Sequence, residues 1–313
     1  MPEESHFRGD VATVLRNVVC PYCYVQLKPK GFNIEHVIGR RFVPKNSMNQ
    51  SWNLILNSCL ACNAKKSDLE NDISAITMQP DASGKFAHDS PLLLAEAQRR
   101  AKNAISRRTK RTVAESKESI SVIRKFYTGT LSFNFISPPQ IDQGRAFELA
   151  HMHLQGFFYM LTYDSNIGRG YPFKGGFHPL QYAIKSNWGN ETQIAFAKTI
   201  ADWDIRLIAT PADEFFKVCI KKHPNAECWG WALEWNHNYR LVGFLGDVST
   251  AQQIVNQYPP EKQTSMQTVN GKELIIQVDK AINPKDDILF QTVVVNEDQK
   301  LKVLLKNDQK NGS

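Results

Sequence analysis

NLILNSCLACNAKK, residues Asn53 to Lys66, carries one of two C-x-x-C pairs and decides how the N-terminal part of the chain is read. Two residues between cysteines let a tight knuckle present both thiolates to one ion. Upstream, Cys20-Pro-Tyr-Cys23 repeats the device, so Cys20, Cys23, Cys59 and Cys62 predict a four-sulfur tetrahedral shell. Such a shell is closed to water, so the zinc it holds is structural rather than catalytic. The opening MPEESHFRGD has no apolar stretch after a basic start, so the chain reads as cytosolic, where paired cysteines favour a metal over disulfides. Cys219 and Cys228 fall in strand-like sequence and are expected as buried free thiols.

Between the knuckles lies FNIEHVIGRR, residues 32 to 41, with Glu35 and His36 side by side at a strand end. Alone, such a pair reads as an ordinary polar contact where a strand meets a loop. Its surroundings change the reading, because Trp52-Asn53-Leu54 precedes the second knuckle and Asn63 follows Cys62 directly.

The order CPYC, EH, NLILNSCLACN, AKK resembles the HNH, or ββα-metal, nuclease family over about residues 18 to 70. The resemblance implies that His36 is the general base and that Asn53 steadies its ring and loop. It also implies that Glu35 and Asn63 bind a catalytic Mg²⁺ or Mn²⁺ and that Lys66 contacts phosphate; Arg40, Arg41 and Lys65 flank the site and read either as further phosphate contacts or as ordinary surface charge. Such chemistry needs these residue types. Phosphodiester hydrolysis requires a deprotonated water and a Lewis acid on the phosphate, and hard oxygen donors suit Mg²⁺. A histidine titrating near neutrality is suited to take the proton. Two departures stand out: Glu35 occupies a position where the family more often has Asp, and Gly39-Arg40-Arg41 replaces a frequent glycine pair.

The 313 residues are 42% hydrophobic, enough for two domains or one large one, and no window approaches the ~18 apolar residues of a membrane span. From Pro91 to Tyr127, ten basic residues stand against three acidic ones, an excess equal to the net charge of +7. Such a block reads either as a patch that attracts polyanions or as the solvated face of a helix. Asp89, Ser90 and Pro91 open a helix whose three-or-four spacing predicts a run to Phe126, ended by Gly129.

SPPQ at 137–140 reads as a linker, and residues 214 to 247 as an antiparallel meander with turns at 223–226 and 236–238. Helices are predicted over Arg145–Tyr163 and Thr192–Trp203, strands over 273–278 and 288–295, and disorder over 306–313. His151 and His153, two apart on a helix, read as structural, and Trp229, Trp231, Leu233 and Trp235 as a core stripe.

The expected fold is α+β: a zinc-stabilised ββα-metal module (1–75), a long basic helical segment (76–136) and a mixed domain with an antiparallel meander (137–313). The leading expectation is a metal-dependent endonuclease acting on DNA, with RNA left open, by nicking or double-strand cleavage. It would use zinc for structure and Mg²⁺ or Mn²⁺ for catalysis. The third segment, acting as a sensor or through a regulatory partner or second copy, would suit an effector in defence against phage or other mobile DNA. The competing expectation is a non-catalytic, zinc-stabilised nucleic-acid-binding protein.

Overall fold

Strands β1 (Thr13–Val14), β2 (Phe32–His36) and β3 (Leu54–Cys59) form a small sheet in the order β1-β3-β2. They are seen in a computed structural model that describes residues 11–81, 84–87, 89–127, 129–260, 265–269, 272–276 and 279–291. Antiparallel pairing sets Glu35 opposite Leu56 and His36 opposite Ile55, while β1 runs parallel to β3. Along β3 the alternation buries Leu54, Leu56 and Ser58, as expected where one face of a sheet is covered. Helix α1 (Leu60–Thr77) follows without a loop, because Cys59 is both the last strand residue and the extended N-cap. Its interior contains neither Gly nor Pro, and it turns Leu69, Ile73 and Ile76 inward.

Helix α2 (Pro91–Asn103) starts as predicted, with Pro at its first turn, but it stops at Asn103 instead of reaching Phe126. Residues 118–126 are a strand, β4 (Glu118–Phe126), paired antiparallel with β5 (Gly129–Ser137) so that Phe126 stands opposite Gly129. The expected long basic helix is therefore corrected to a short helix and a hairpin. The reason is legible in ESISVIRKF, where β-branched residues at 120, 122 and 123 favour extended backbone and Gly129 serves the turn rather than a helix end.

Helix α3 (Gln143–Leu161) is capped by Asp142, whose side chain accepts from the Arg145 N–H. It buries most of its length, packing on α1 and setting Phe147, His153, Phe157 and Phe158 against Tyr182, Trp235, Phe216 and Trp229. At Gly156 the backbone comes so close that a Cβ would stand 2.8 Å from a Val37 methyl carbon. Beyond it, β6 (Gly176–Ile184), α4 (Glu191–Thr199), β7 (Asp204–Ala209), β8 (Phe216–Lys222), β9 (Cys228–Trp235), β10 (Tyr239–Gly246) and α5 (Val248–Val255) follow in sequence. The five strands form an antiparallel sheet in the order β6-β10-β9-β8-β7, with the predicted meander at its centre. Among the described residues this makes an α+β fold with five helices.

Every residue of β9 and β10 is buried, because the sheet is covered on both faces. Trp229, Trp231, Leu233 and Trp235 share one hydrophobic cluster with α3 and with Val37, Phe42 and Trp52. Cys228, Ala232, Val242 and Phe244 join Phe196, Ile200 and Ala251 on the other face, and Cys219 and Cys228 are buried free thiols. One core thus runs from the cysteine pairs to the five-stranded sheet. Strands β11 (Ser265–Val269) and β12 (Lys272–Ile276) form a separate hairpin. Of the strand expected over 288–295, residues 288–291 are irregular; the rest, and the tail 306–313, lie outside the described residues. No helix among the described residues is long and apolar enough to cross a membrane.

Candidate metal and catalytic centre

The strand-to-helix junction at Cys59 decides where the sulfur atoms go. Cys59 and Cys62 sit at the start of α1, and the turn carrying Cys20 and Cys23 folds over them, so all four sulfurs lie within 4.8 Å of one another. Cys23 Sγ and Cys59 Sγ are 3.7 Å apart. A tetrahedral ion with Zn–S distances of about 2.3 Å has sulfur–sulfur edges of about 3.8 Å. A disulfide would need about 2.05 Å. The four cysteines can therefore hold a metal ion such as zinc, and the donor set is the soft one that zinc takes. Burial pushes the Cys20 thiol up to about 11, so a bound cation would supply what the protein interior does not.

One residue past the knuckle, Asn63 on α1 faces Glu35 on β2, and its amide nitrogen donates to Glu35 Oε2. Asn63 Oδ1 accepts from Asn33 Nδ2 at 3.4 Å. Glu35 and Asn63 are thus adjacent, as two ligands of one ion must be. In this arrangement Asn63 offers its NH₂ to the carboxylate, and ligation would call for the amide to turn over and present its oxygen. Glu35 is buried, which raises its pKa above the ordinary carboxylate value, with Lys66 pulling the other way.

His36 ends β2. Burial above all, then the charges of Arg40 and Lys66, holds its imidazole below the usual range, so the ring is neutral at pH 7. Its Nε2 is buried with no hydrogen-bond partner among the described residues, as is the hydroxyl of Tyr22 from the first knuckle. The charges of Glu35 and Glu70 act on that phenol, whose pKa burial already pushes up. Orphaned buried polar atoms of this kind are what a site for an ion, water or phosphate oxygen would leave.

The side-chain bonds of Asn53 go to backbone groups rather than to the ring. Its side chain is buried, accepts from the Ile38 N–H at 3.2 Å and donates to the Ile38 carbonyl at 2.8 Å. It clamps the backbone two residues beyond His36 onto the start of β3.

The four cationic residues divide. Arg40 and Arg41 are exposed on the loop that leaves His36. Lys65 is exposed but paired with Glu148. Lys66 is 1% exposed, and its ammonium lies 2.8 Å from Glu35 Oε1 and 2.6 Å from Glu70 Oε1, so it holds carboxylates rather than facing solvent. The two carboxylates keep it protonated despite its burial. Of the basic block, Arg99, Lys102, Lys110, Arg111 and Lys117 are exposed, whereas Arg100 bonds the Arg41 and Val43 carbonyls and Arg107 pairs with Asp68.

Glu70 and Tyr22 are site neighbours that the sequence does not single out, and His153, expected as a structural residue, is a third. Glu70 was legible as the i,i+4 partner of Lys66. His153 was not, because it arrives from α3, where its buried ring lies 3.7 Å from Glu70 and among Phe42, Phe216 and Trp235. Burial lowers His153 to about 4, so it is neutral. His151 stacks on Phe177.

In comparisons with protein-family models, curated proteins and solved structures, nothing matches this chain.

Proposed function

We propose that the chain is a metal-dependent endonuclease of the HNH, or ββα-metal, kind that hydrolyses phosphodiester bonds of DNA. The observation that carries the reading is the Glu35–Asn63 pair, next in sequence to a part-buried His36, on a strand–strand–helix unit whose four cysteines cluster. The donors fit two different ions. Four sulfurs suit a structural zinc, and the carboxylate and amide suit Mg²⁺ or Mn²⁺.

His36 accepts the proton of the attacking water, a contribution of about 10²–10⁴-fold in rate. A divalent ion, when bound by Glu35 and Asn63, supplies Lewis acidity at the phosphate. Asn53 fixes the loop from which His36 is presented. Arg40 and Arg41, exposed beside that loop, contact the phosphates, and the exposed residues of the 91–117 segment add non-specific affinity. Lys66 acts as an internal counter-charge in this scheme, not as a phosphate clamp. One such site cuts one strand, so a break of both strands calls for a second copy or a second event.

A second reading, a non-catalytic zinc-stabilised nucleic-acid-binding protein, is favoured by one observation: both oxygens of Glu35 are already engaged, by Lys66 and by Asn63. Incubating supercoiled plasmid with the protein and Mg²⁺ or Mn²⁺, with and without EDTA, separates the two. Metal-dependent nicking supports the nuclease; retention of DNA without cleavage under either ion supports the binding protein.

A further inference from the structure

Lys66 is among the largest fully buried side chains of the protein, and neither the cysteine cluster nor proton transfer uses it. Its three ammonium protons meet three oxygens: Glu70 Oε1 at 2.6 Å, Glu35 Oε1 at 2.8 Å and the His36 carbonyl at 3.2 Å. Glu35 is therefore shared. Lys66 holds one of its oxygens, and Asn63, its expected co-ligand, holds the other.

Glu70 grips the same ammonium and is itself fixed. It accepts from the Gly39 N–H at 3.3 Å and lies against the His153 ring. A Cβ at Gly39 would run into the Glu70 carboxylate, so any larger residue there would displace it. Two carboxylates and one ammonium leave a buried net charge of minus one. Neutralising Glu70 would cancel that charge and hand Lys66 to Glu35 alone.

We propose that Glu70 is a positioning residue for the metal-binding carboxylate: by drawing the Lys66 ammonium toward itself, it leaves Glu35 available to a divalent ion. Lys66 is then a tethered cation that competes with the ion for Glu35, and Glu70 sets the terms of that competition. The inference rests on the assignment of Glu35 as a metal ligand made above. Neighbours that orient ligands in this way typically alter metal affinity by about 10–100-fold when changed.

The test is Mn²⁺ binding to the full-length, zinc-loaded protein without DNA, followed by the electron paramagnetic resonance of free Mn²⁺. Mn²⁺ is too hard an ion to displace zinc from four thiolates. Glu70→Gln is expected to weaken Mn²⁺ about tenfold, at the lower end of that range. Glu70→Asp, which keeps the charge, is expected to stay near wild type. In a Lys66→Gln background the effect of Glu70→Gln is expected largely to disappear, because Glu70 acts through Lys66. Unchanged affinity in Glu70→Gln overturns the inference, as does an equal loss in both backgrounds or a Glu70→Asp protein as weak as Glu70→Gln. Should Lys66→Gln fail to fold, the Glu70→Asp comparison decides. A wild-type protein that binds no Mn²⁺ removes the metal assignment and this inference together, whereas wild-type binding with an insensitive Glu70 removes only the inference.

Discussion

Phe42→Ala would test whether the cysteine-stapled unit and the five-stranded sheet unfold as one. The ring is fully buried and packs edge-on against Trp235 at 5.4 Å, His153 at 5.6 Å and Phe216 at 6.3 Å. These neighbours come from α3, β8 and β9, so the cavity would open at the seam between the two halves of the sequence. Deleting a buried phenylalanine side chain costs about 3–5 kcal/mol, through lost transfer energy and the cavity that remains. At about 2–4 °C per kcal/mol for shorter chains, a coefficient that falls with length, melting should drop by several degrees and by no more than roughly 20 °C. The assay is thermal or urea denaturation followed by two probes at once: tryptophan fluorescence, to which five of the six tryptophans contribute from residues 188–235, and zinc release to a chromogenic chelator for the cysteine cluster. Both transitions should move together. A shift confined to zinc release, with the tryptophan transition left in place, would refute the continuous core and mean that the halves are separable.

Three further outcomes follow from the same geometry. Cys59→Ser should lower zinc content to a fraction of one ion per chain and destabilise the N-terminal unit, since binding energy of a structural zinc is folding energy; metal analysis beside circular dichroism checks it. Replacing Arg40 and Arg41 with alanine should weaken DNA binding and reduce the slope of log K against log salt by about two, one for each phosphate contact, in fluorescence anisotropy titrations across salt. On acidification, Asp68 should contribute a loss of stability: hydrogen bonding by Arg107 first, then Arg145, holds its pKa below the usual aspartate value. The contribution is present above the ordinary carboxylate pKa and disappears as pH falls through the depressed one. Wild type should therefore lose more stability than Asp68→Asn between pH 5 and 3, as melting curves would record.

What the sequence made legible was local or periodic. The C-x-x-C pairs, the Glu35–His36 step and Asn63 beside Cys62 are neighbours in the chain, so one hairpin and one helix start suffice to bring them together. The meander was readable because each of its strands pairs with the next.

The failure at residues 118–126 has a physical cause. Val113, Ser116, Ile120, Ile123 and Tyr127 keep helical spacing, but the same stretch also suits a strand, and its partner at 129–137 decided between them. Pairing is a non-local term that periodicity does not contain. Lys66 illustrates the same limit with charge. Its i,i+4 partner Glu70 lay in plain view, but Glu35 is 31 positions upstream, and only the fold turns an apparently exposed lysine into a buried one. His153 entered the site from α3 by packing, and nothing in its flanking sequence announces that contact.

The measurement that bears most directly on the central claim is the rate at which supercoiled plasmid is nicked in Mn²⁺ by wild type and by His36→Ala, both shown to be folded and zinc-loaded. If His36 takes the proton of the attacking water, the substitution should slow nicking by about 10²–10⁴-fold while leaving DNA binding in place. Equal nicking rates, or no metal-dependent nicking by the wild type, would contradict the account.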